Sequence, residues 1–349
     1  MTWIELEHSK KAVRRAGDYL ISDDFDIGKF IESYEILDNW RASHEYPIQS
    51  MIGYYRKKAF EIDPGSIIVR RLKRTPSILA KLNREGRMKL DRMEDIGGCR
   101  IVVSNKKQVY EVHDAIVDGR TRNTLRRQRD YIKYPKNSGY RGIHLVYRYN
   151  GQKTQYSGHS IELQIRSKIQ HSWATAVEVV GTFTGQGLKA SQGHDAWLKF
   201  FKLASIAFEN IENKALAKNA NSSERLELIK YIEFLGVLHK LRAFAVSTRH
   251  LGGDKKNKND YFLLILEVDK SNIEVMRFPR ESIDSATRKY AELEKEYKGN
   301  KDKDVVLVSA ESVHGLKKAY PNYFADTTEF SKNIERVIEA NKALQRTGR

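Results

Sequence analysis

The sequence predicts an α/β protein in two parts, a mixed β-sheet flanked by helices and then a smaller α+β domain. Three observations carry this. Apolar residues recur at helical spacing through roughly the first sixty residues. Short β-branched runs alternate with helical stretches between Ser66 and Arg166. Beyond Leu241, β-branched and aromatic runs return around another helical stretch. Residues 1–230 are assigned to the first domain and 231–349 to the second.

Ile4, Val13, Ala16 and Leu20, then Phe30, Tyr34, Leu37 and Trp40, give helical spacing, and Pro47 begins a further segment through Phe60. Pro64-Gly65 is a turn into a strand from Ser66 to Arg70. A helix-like run follows over Arg74–Leu82, then a strand at Cys99–Val103, a helix at Lys106–Val117 and strands at Gly142–Tyr149 and Ser160–Arg166. Asn150-Gly151 reads as the hairpin turn between those last two. Gln170–Val180 and Ala196–Glu212 are helices; His171 falls in the first and reads as structural. Lys214–Ser223 is the candidate boundary region, before a helix to Lys240. The second domain begins as three strands, 243–249, 261–268 and 273–278, followed by a helix at 282–298 and a strand at 305–308. Asp326-Thr-Thr-Glu329 is a capping box for a last helix to about Leu344.

A chain of 349 residues with net charge +17 is biased toward polyanionic partners. Arg120–Arg129 holds five arginines in ten residues, either a solvated charged segment or an electrostatic guide for nucleic acid. No apolar run is long enough to cross a bilayer and the opening residues lack signal-peptide order, so the expected location is the cytoplasm. Cys99 is the only cysteine, which excludes an internal disulfide and a cysteine-based zinc site; its strand position marks it as a core residue.

The chemistry concentrates between Val69 and Arg166. Asp130–His144 holds Lys133, Lys136, Arg141 and His144 around Gly139 and Tyr140, a ring among cations suited to stacking a base while neutralising phosphate. Lys73, Ser77 and Lys81 recur every four residues and line up toward one polyphosphate, with Arg71 beside them. Asp95 precedes a buried strand, and period-two alternation puts Glu162, Gln164 and Arg166 on one strand face with Ile161, Leu163 and Ile165 on the other. An isolated carboxylate in a basic protein is usually a surface ion pair. Two on neighbouring strands among lysines and arginines are what magnesium-dependent phosphoryl transfer requires.

The string Arg71-x-Lys73-x3-Ser77-x3-Lys81, Asp95-x4-Arg100, Asp130-Tyr-Ile-x2-Pro-Lys136-x2-Gly139-Tyr140-x3-His144 and Glu162-x-Gln164-Ile-Arg166 resembles the synthetase domain of RelA/SpoT-type enzymes. The resemblance implies a nucleotidyltransferase-like sheet and transfer of the β,γ-pyrophosphate of ATP to a ribose hydroxyl. It implies that Arg71 and Arg100 sandwich adenine, that Lys73, Ser77 and Lys81 hold phosphates, and that Asp95 and Glu162 are catalytic and bind Mg2+. Lys136, Tyr140, His144, Gln164 and Arg166 fall to the acceptor side, as does Arg129, which stands where the family often has Lys. Arg126 and Arg127 are assigned to guiding tRNA. The Tyr320-x-x-Tyr323 loop behind such a domain resembles CapRel-type fused toxin–antitoxin proteins, which implies a regulatory C-terminal domain that blocks the ATP site until a phage protein binds. The expected partners are ATP and an acceptor, tRNA at its 3′ CCA end or, alternatively, GDP or GTP; a non-catalytic RNA-binding regulator is the rival class. No His-Asp metal motif precedes the synthetase motifs, so alarmone hydrolysis is not expected.

Overall fold

The computed structural model describes residues 3–184, 188, 193–216, 223–242, 260–267, 272–297, 303–309 and 327–347. It divides into two compact units, one of Met1–Tyr134 with Arg141–Lys168, the other of Pro135–Tyr140 with Ile169–Arg349.

The first unit opens with helices α1 (Lys10–Tyr19), α2 (Ile27–Ala42) and α3 (Glu45–Ile62). The side chains of Ser9 and Asp26 accept from Ala12 N and Lys29 N and so start the first two. Strand β1 (Ile67–Leu72) follows, then α4 (Thr75–Arg84) with Pro76 in its first turn, β2 (Gly97–Val103), α5 (Lys106–Val117), β3 (Thr124–Asp130), β4 (Ile143–Arg148) and β5 (Ser160–Ser167). The sheet order is β1-β2-β5-β4-β3, with β2 and β5 parallel and every other pair antiparallel. One face carries Cys99, Ile101, Leu145, Ile161, Leu163 and Ile165 into a core with Ile48, Met51 and Ile52 of α3 and Val109, Val112 and Ile116 of α5. Burial pushes the Cys99 thiol up to about 12, consistent with an inert core residue.

Within the arginine-rich stretch, residues 124–130 form the edge strand β3, an element the sequence reading did not include, paired to β4 through a register shift between Leu125 and Arg127. With one neighbour only, such a strand keeps charged side chains in water, which also protects the sheet edge. One expectation is corrected: Asn150-Gly151 is not by itself the hairpin turn, since Arg148 pairs with Ser160 and the connection includes a 3-10 turn at Thr154–Tyr156.

At the junction of α2 and α3, Trp40, His44 and His159 pack ring on ring, with Trp40 stacked 4.8 Å from His159 and His44 edge-on 4.5 Å away. Burial lowers both imidazoles, His44 well below its usual range and His159 to about 4. A histidine depressed in the folded state takes its proton first in the unfolded chain. Stability therefore falls as pH drops from about 6.5 toward 4, by about 3 kcal/mol for His159 alone. Urea unfolding at pH 7 and pH 5 is expected to show about 2 kcal/mol of that loss, and His159→Gln is expected to flatten it; an unchanged slope in the variant would place the effect elsewhere.

The second unit comprises α6 (Lys168–Phe183), α7 (Asp195–Glu212), α8 (Ser223–Leu235), β6 (Tyr261–Glu267), β7 (Asn272–Phe278), α9 (Ile283–Glu296), β8 (Lys303–Ser309) and α10 (Thr328–Thr347). β6 lies between β7 and β8, antiparallel to both. Trp173, Trp197, Phe200, Phe201 and Phe208 share one apolar cluster with Leu228, Leu235, Phe262 and Phe330. The boundary expected at 230/231 thus falls inside a single core, because the last helix returns to pack beside α7. The expected strand at 243–249 lies outside the described residues, as do Tyr320 and Tyr323.

Candidate active site

Register places the polar side chains on the sheet face opposite the α3/α5 core. Arg71 pairs with Gly98, Gly98 with Glu162, and Arg100 with Gln164, which pairs in turn with His144. Paired residues share a face, so these side chains come from four strands to one surface. Gly98 has to be glycine, since a Cβ there would overlap the carbonyl oxygen of Glu162.

Asp95, just before β2, is held from two sides. Lys73 Nζ donates to its Oδ2 at 2.7 Å and Lys81 Nζ to its Oδ1 at 3.0 Å. Burial opposes the charge of Asp95, but the two lysines outweigh it and hold the carboxyl below its usual range, against the pull of Glu162. Burial lowers Lys73 as well, although Asp95 resists this. The position of Lys73 rests on backbone contacts: its N–H donates to Ile96 O at 2.7 Å, and Arg41 Nε donates to its own carbonyl at 2.7 Å. No sequence signal marked Arg41, which lies on α2, 32 residues upstream. Ser77 stands half-buried on α4, one turn before Lys81.

Glu162 is hydrogen-bonded through both oxygens, Oε1 lying 2.8 Å from His144 Nδ1 and Oε2 accepting from Gln164 Nε2 at 2.7 Å. Burial favours its neutral form, yet His144, Arg71 and Gln164 together hold the carboxyl well below the carboxylate range. Gln164 is oriented in turn by Arg166, whose guanidinium donates to Oε1 at 2.7 Å, with Arg100 Nε at 3.4 Å. Arg100, Gln164 and Arg166 are all buried.

Around this face, Arg127 on β3 pairs with Glu94 at 3.0 Å, Arg129 donates to the Tyr131 hydroxyl at 3.0 Å, and Arg126 is exposed. Arg141, read from the sequence as a phosphate contact, donates to the Ile132 carbonyl at 3.0 Å. Asp130 is a turn builder: Oδ1 accepts from Ile132 N and Lys133 N. Lys136 and Tyr140 belong to the second unit. There Gly139 takes φ +91, a Cβ on it would crowd Ser205, and Lys136 Nζ lies 5.1 Å from the Tyr140 ring centroid. That ring, read from the sequence as a base-stacking surface, is half-buried and edge-on to Trp173 at 6.4 Å.

Two carboxylates close enough to influence each other offer the hard oxygen donors that a small divalent cation takes, with phosphates completing its shell. Among the described residues no group of three or more His, Cys, Asp or Glu could hold a metal ion. Asp95→Ala strands two amines side by side and is expected to cost roughly 2 kcal/mol of stability. Equilibrium unfolding checks this: Lys73→Met in the Asp95→Ala background should recover part of the loss, and additive losses would deny the coupling.

Residues 70–180 match the family model described as a region found in RelA / SpoT proteins. The chain carries a RelA/SpoT region. Over 115 residues, 32% of this chain and 54% of the relative, it is 35% identical to the GTP pyrophosphokinase YjbM of Bacillus subtilis. An uncharacterised Mycobacterium tuberculosis protein, Rv1366, is 26% identical over 186 residues, 52% of this chain and 62% of that one. The chain therefore spans only part of the length of these relatives. Among solved structures, small alarmone synthetase 1 from Bacillus subtilis bound to pppGpp is similar at 28% identity, covering 42% of this chain and 74% of that one with a TM-score of 0.36. Asp95, Glu162, Lys73 and Lys81 all lie inside the matched region. No helix among the described residues is long and apolar enough to cross a membrane.

Proposed function

We propose that the chain is a magnesium-dependent pyrophosphokinase that passes the β,γ-pyrophosphate of ATP to a ribose hydroxyl. The observation that carries this is Asp95 clasped by Lys73 and Lys81, with the ionised Glu162 on the neighbouring strand pair. The polyphosphate takes over the two amines, which frees both Asp95 oxygens; Asp95 and Glu162 would then hold Mg2+. When bound, the cation neutralises phosphate charge as the transferred group departs. The acceptor hydroxyl oxygen bonds to the β-phosphorus, the bond from that phosphorus to the α,β-bridging oxygen breaks, and AMP leaves with both electrons. The hydroxyl proton passes to Glu162, oriented by His144 and Gln164. The name of the Bacillus subtilis relative supports pyrophosphoryl transfer.

For the acceptor, the reading is the 3′ CCA end of tRNA, which would stop translation. It is supported by the net charge of +17 and by Arg126, Arg127 and Arg129 along the exposed edge strand. A guanosine nucleotide is the second reading, favoured by that relative's name as a GTP pyrophosphokinase. The C-terminal segment is read as an autoinhibitory element, released by a phage protein. Its support is the Tyr320-x-x-Tyr323 sequence together with tethering, since a loop on the same chain acts at an effective concentration near millimolar. A folded Tyr320→Ala, Tyr323→Ala double variant is expected to arrest growth on induction, and Glu162→Gln to abolish the arrest. Growth equal to that of the parent chain would remove autoinhibition from the account.

A further inference from the structure

We infer that a cavity on the helix side of the first unit's sheet is a second ligand site, for a single mononucleotide. Tyr147, in its wall, pairs with Ile161, so it faces away from the surface that carries Glu162. The cavity is therefore separate from the candidate active site. Its floor and walls are Met51, Tyr55, Tyr147 and Tyr149 with Tyr46 and Tyr54, and its mouth is polar, with Ser50, Arg122 and Gln152.

The tyrosines are fixed in place. Tyr54 donates to the Ile116 carbonyl at 3.2 Å, and its hydroxyl fills the space where Gly119 has no side chain. Gly151 leaves the same room for the Tyr149 hydroxyl. Tyr46 stacks on Tyr156 at 4.7 Å and is capped by Lys153, whose amine lies 4.8 Å from the ring centroid. On the far side, Asn123 Oδ1 accepts from Asn150 N at 3.0 Å and ties the 121–123 loop to the β4–β5 connection. Walls held this way meet a planar ring without paying rotamer entropy on binding.

No carboxylate lines the cavity, and Arg122 stands at its mouth with Lys153 close by, so the polar end of the occupant is an anion. A volume of about 240 Å³ lies just under the usual pocket range of roughly 300–1,000 Å³. That leaves room for one base with its sugar, with a phosphate at the mouth, and excludes a dinucleotide.

The test is calorimetric titration of the full chain with AMP, GMP, CMP and UMP, with the matching nucleosides and ribose 5-phosphate as separate arms. At least one nucleotide is expected to bind one to one with a Kd below about 1 mM, more tightly than its nucleoside or ribose 5-phosphate. Ser50→Trp, at an exposed helix position, should plug the mouth and abolish that isotherm, and Arg122→Glu should weaken it about tenfold. If Ser50→Trp disturbs the melting curve, Gln152→Trp closes the same mouth from the loop. No saturable binding by any nucleotide, or an isotherm unchanged by the plug, would overturn the assignment.

Discussion

Glu162→Gln is expected to lower pyrophosphoryl transfer by about a thousandfold while the KM for ATP moves only a few-fold. The substitution keeps the size of the side chain and its place on β5, and removes the one charge that His144, Arg71 and Gln164 hold ionised. An amide neither accepts the hydroxyl proton nor offers an anionic oxygen to the cation, so the loss falls on the transition state and belongs in kcat. Lys73 and Lys81, which the proposal assigns to the polyphosphate, lie on other elements, before and within α4, and remain. Because Glu162 sits in a hydrogen-bonded row rather than an apolar core, the variant should melt within a few degrees of the parent. A kcat within threefold of wild type would take Glu162 out of the chemistry; a large rise in KM alone would make it a binding residue.

Reversing Arg126, Arg127 and Arg129 to Glu is expected to weaken transfer to tRNA by at least a hundredfold at physiological salt and to leave ATP binding within a few-fold. Each phosphate contact contributes about 0.9 to the slope of log affinity against log salt, so losing three lowers that slope by roughly 3. The strand offers these side chains to solvent along the free sheet edge, where a change of charge costs little folding energy. Arg127 is the exception, since its partner Glu94 would then face a second carboxylate. Arg126→Glu with Arg129→Glu is therefore the control for stability. An unchanged salt slope would assign the acceptor role to a mononucleotide.

Much of the site could be read from the sequence because its chemistry is written in local spacing. The helix at Lys106–Val117 is found where it was expected after the Cys99–Val103 strand, and the alternation around Glu162 puts that side chain and Gln164 on one face. Four-residue spacing brought Lys73 and Lys81 together, but it did not show that both turn onto Asp95, 22 and 14 residues away. The sheet order was hidden for a different reason. β5, last in sequence, enters between β2 and β4, and long-range pairing leaves no mark on either strand's own pattern. β3 escaped notice because its arginines mask the strand period, and it is held by pairing with β4 rather than by propensity. Arg41 and Phe330 act across the chain on a carbonyl and on an aromatic cluster, contacts that composition does not encode.

The central claim is transfer of an intact pyrophosphate from ATP by the Asp95–Glu162 site. Incubating the purified chain with γ-labelled ATP, Mg2+ and either deacylated tRNA or GTP, and resolving acceptor, AMP and free phosphate, tests it most directly. The account predicts label on one of the two acceptors with one AMP formed per label transferred, absent with Glu162→Gln and without Mg2+. Label appearing only as orthophosphate with ADP, or no AMP with either acceptor from chain freed of its C-terminal tyrosines, would contradict it.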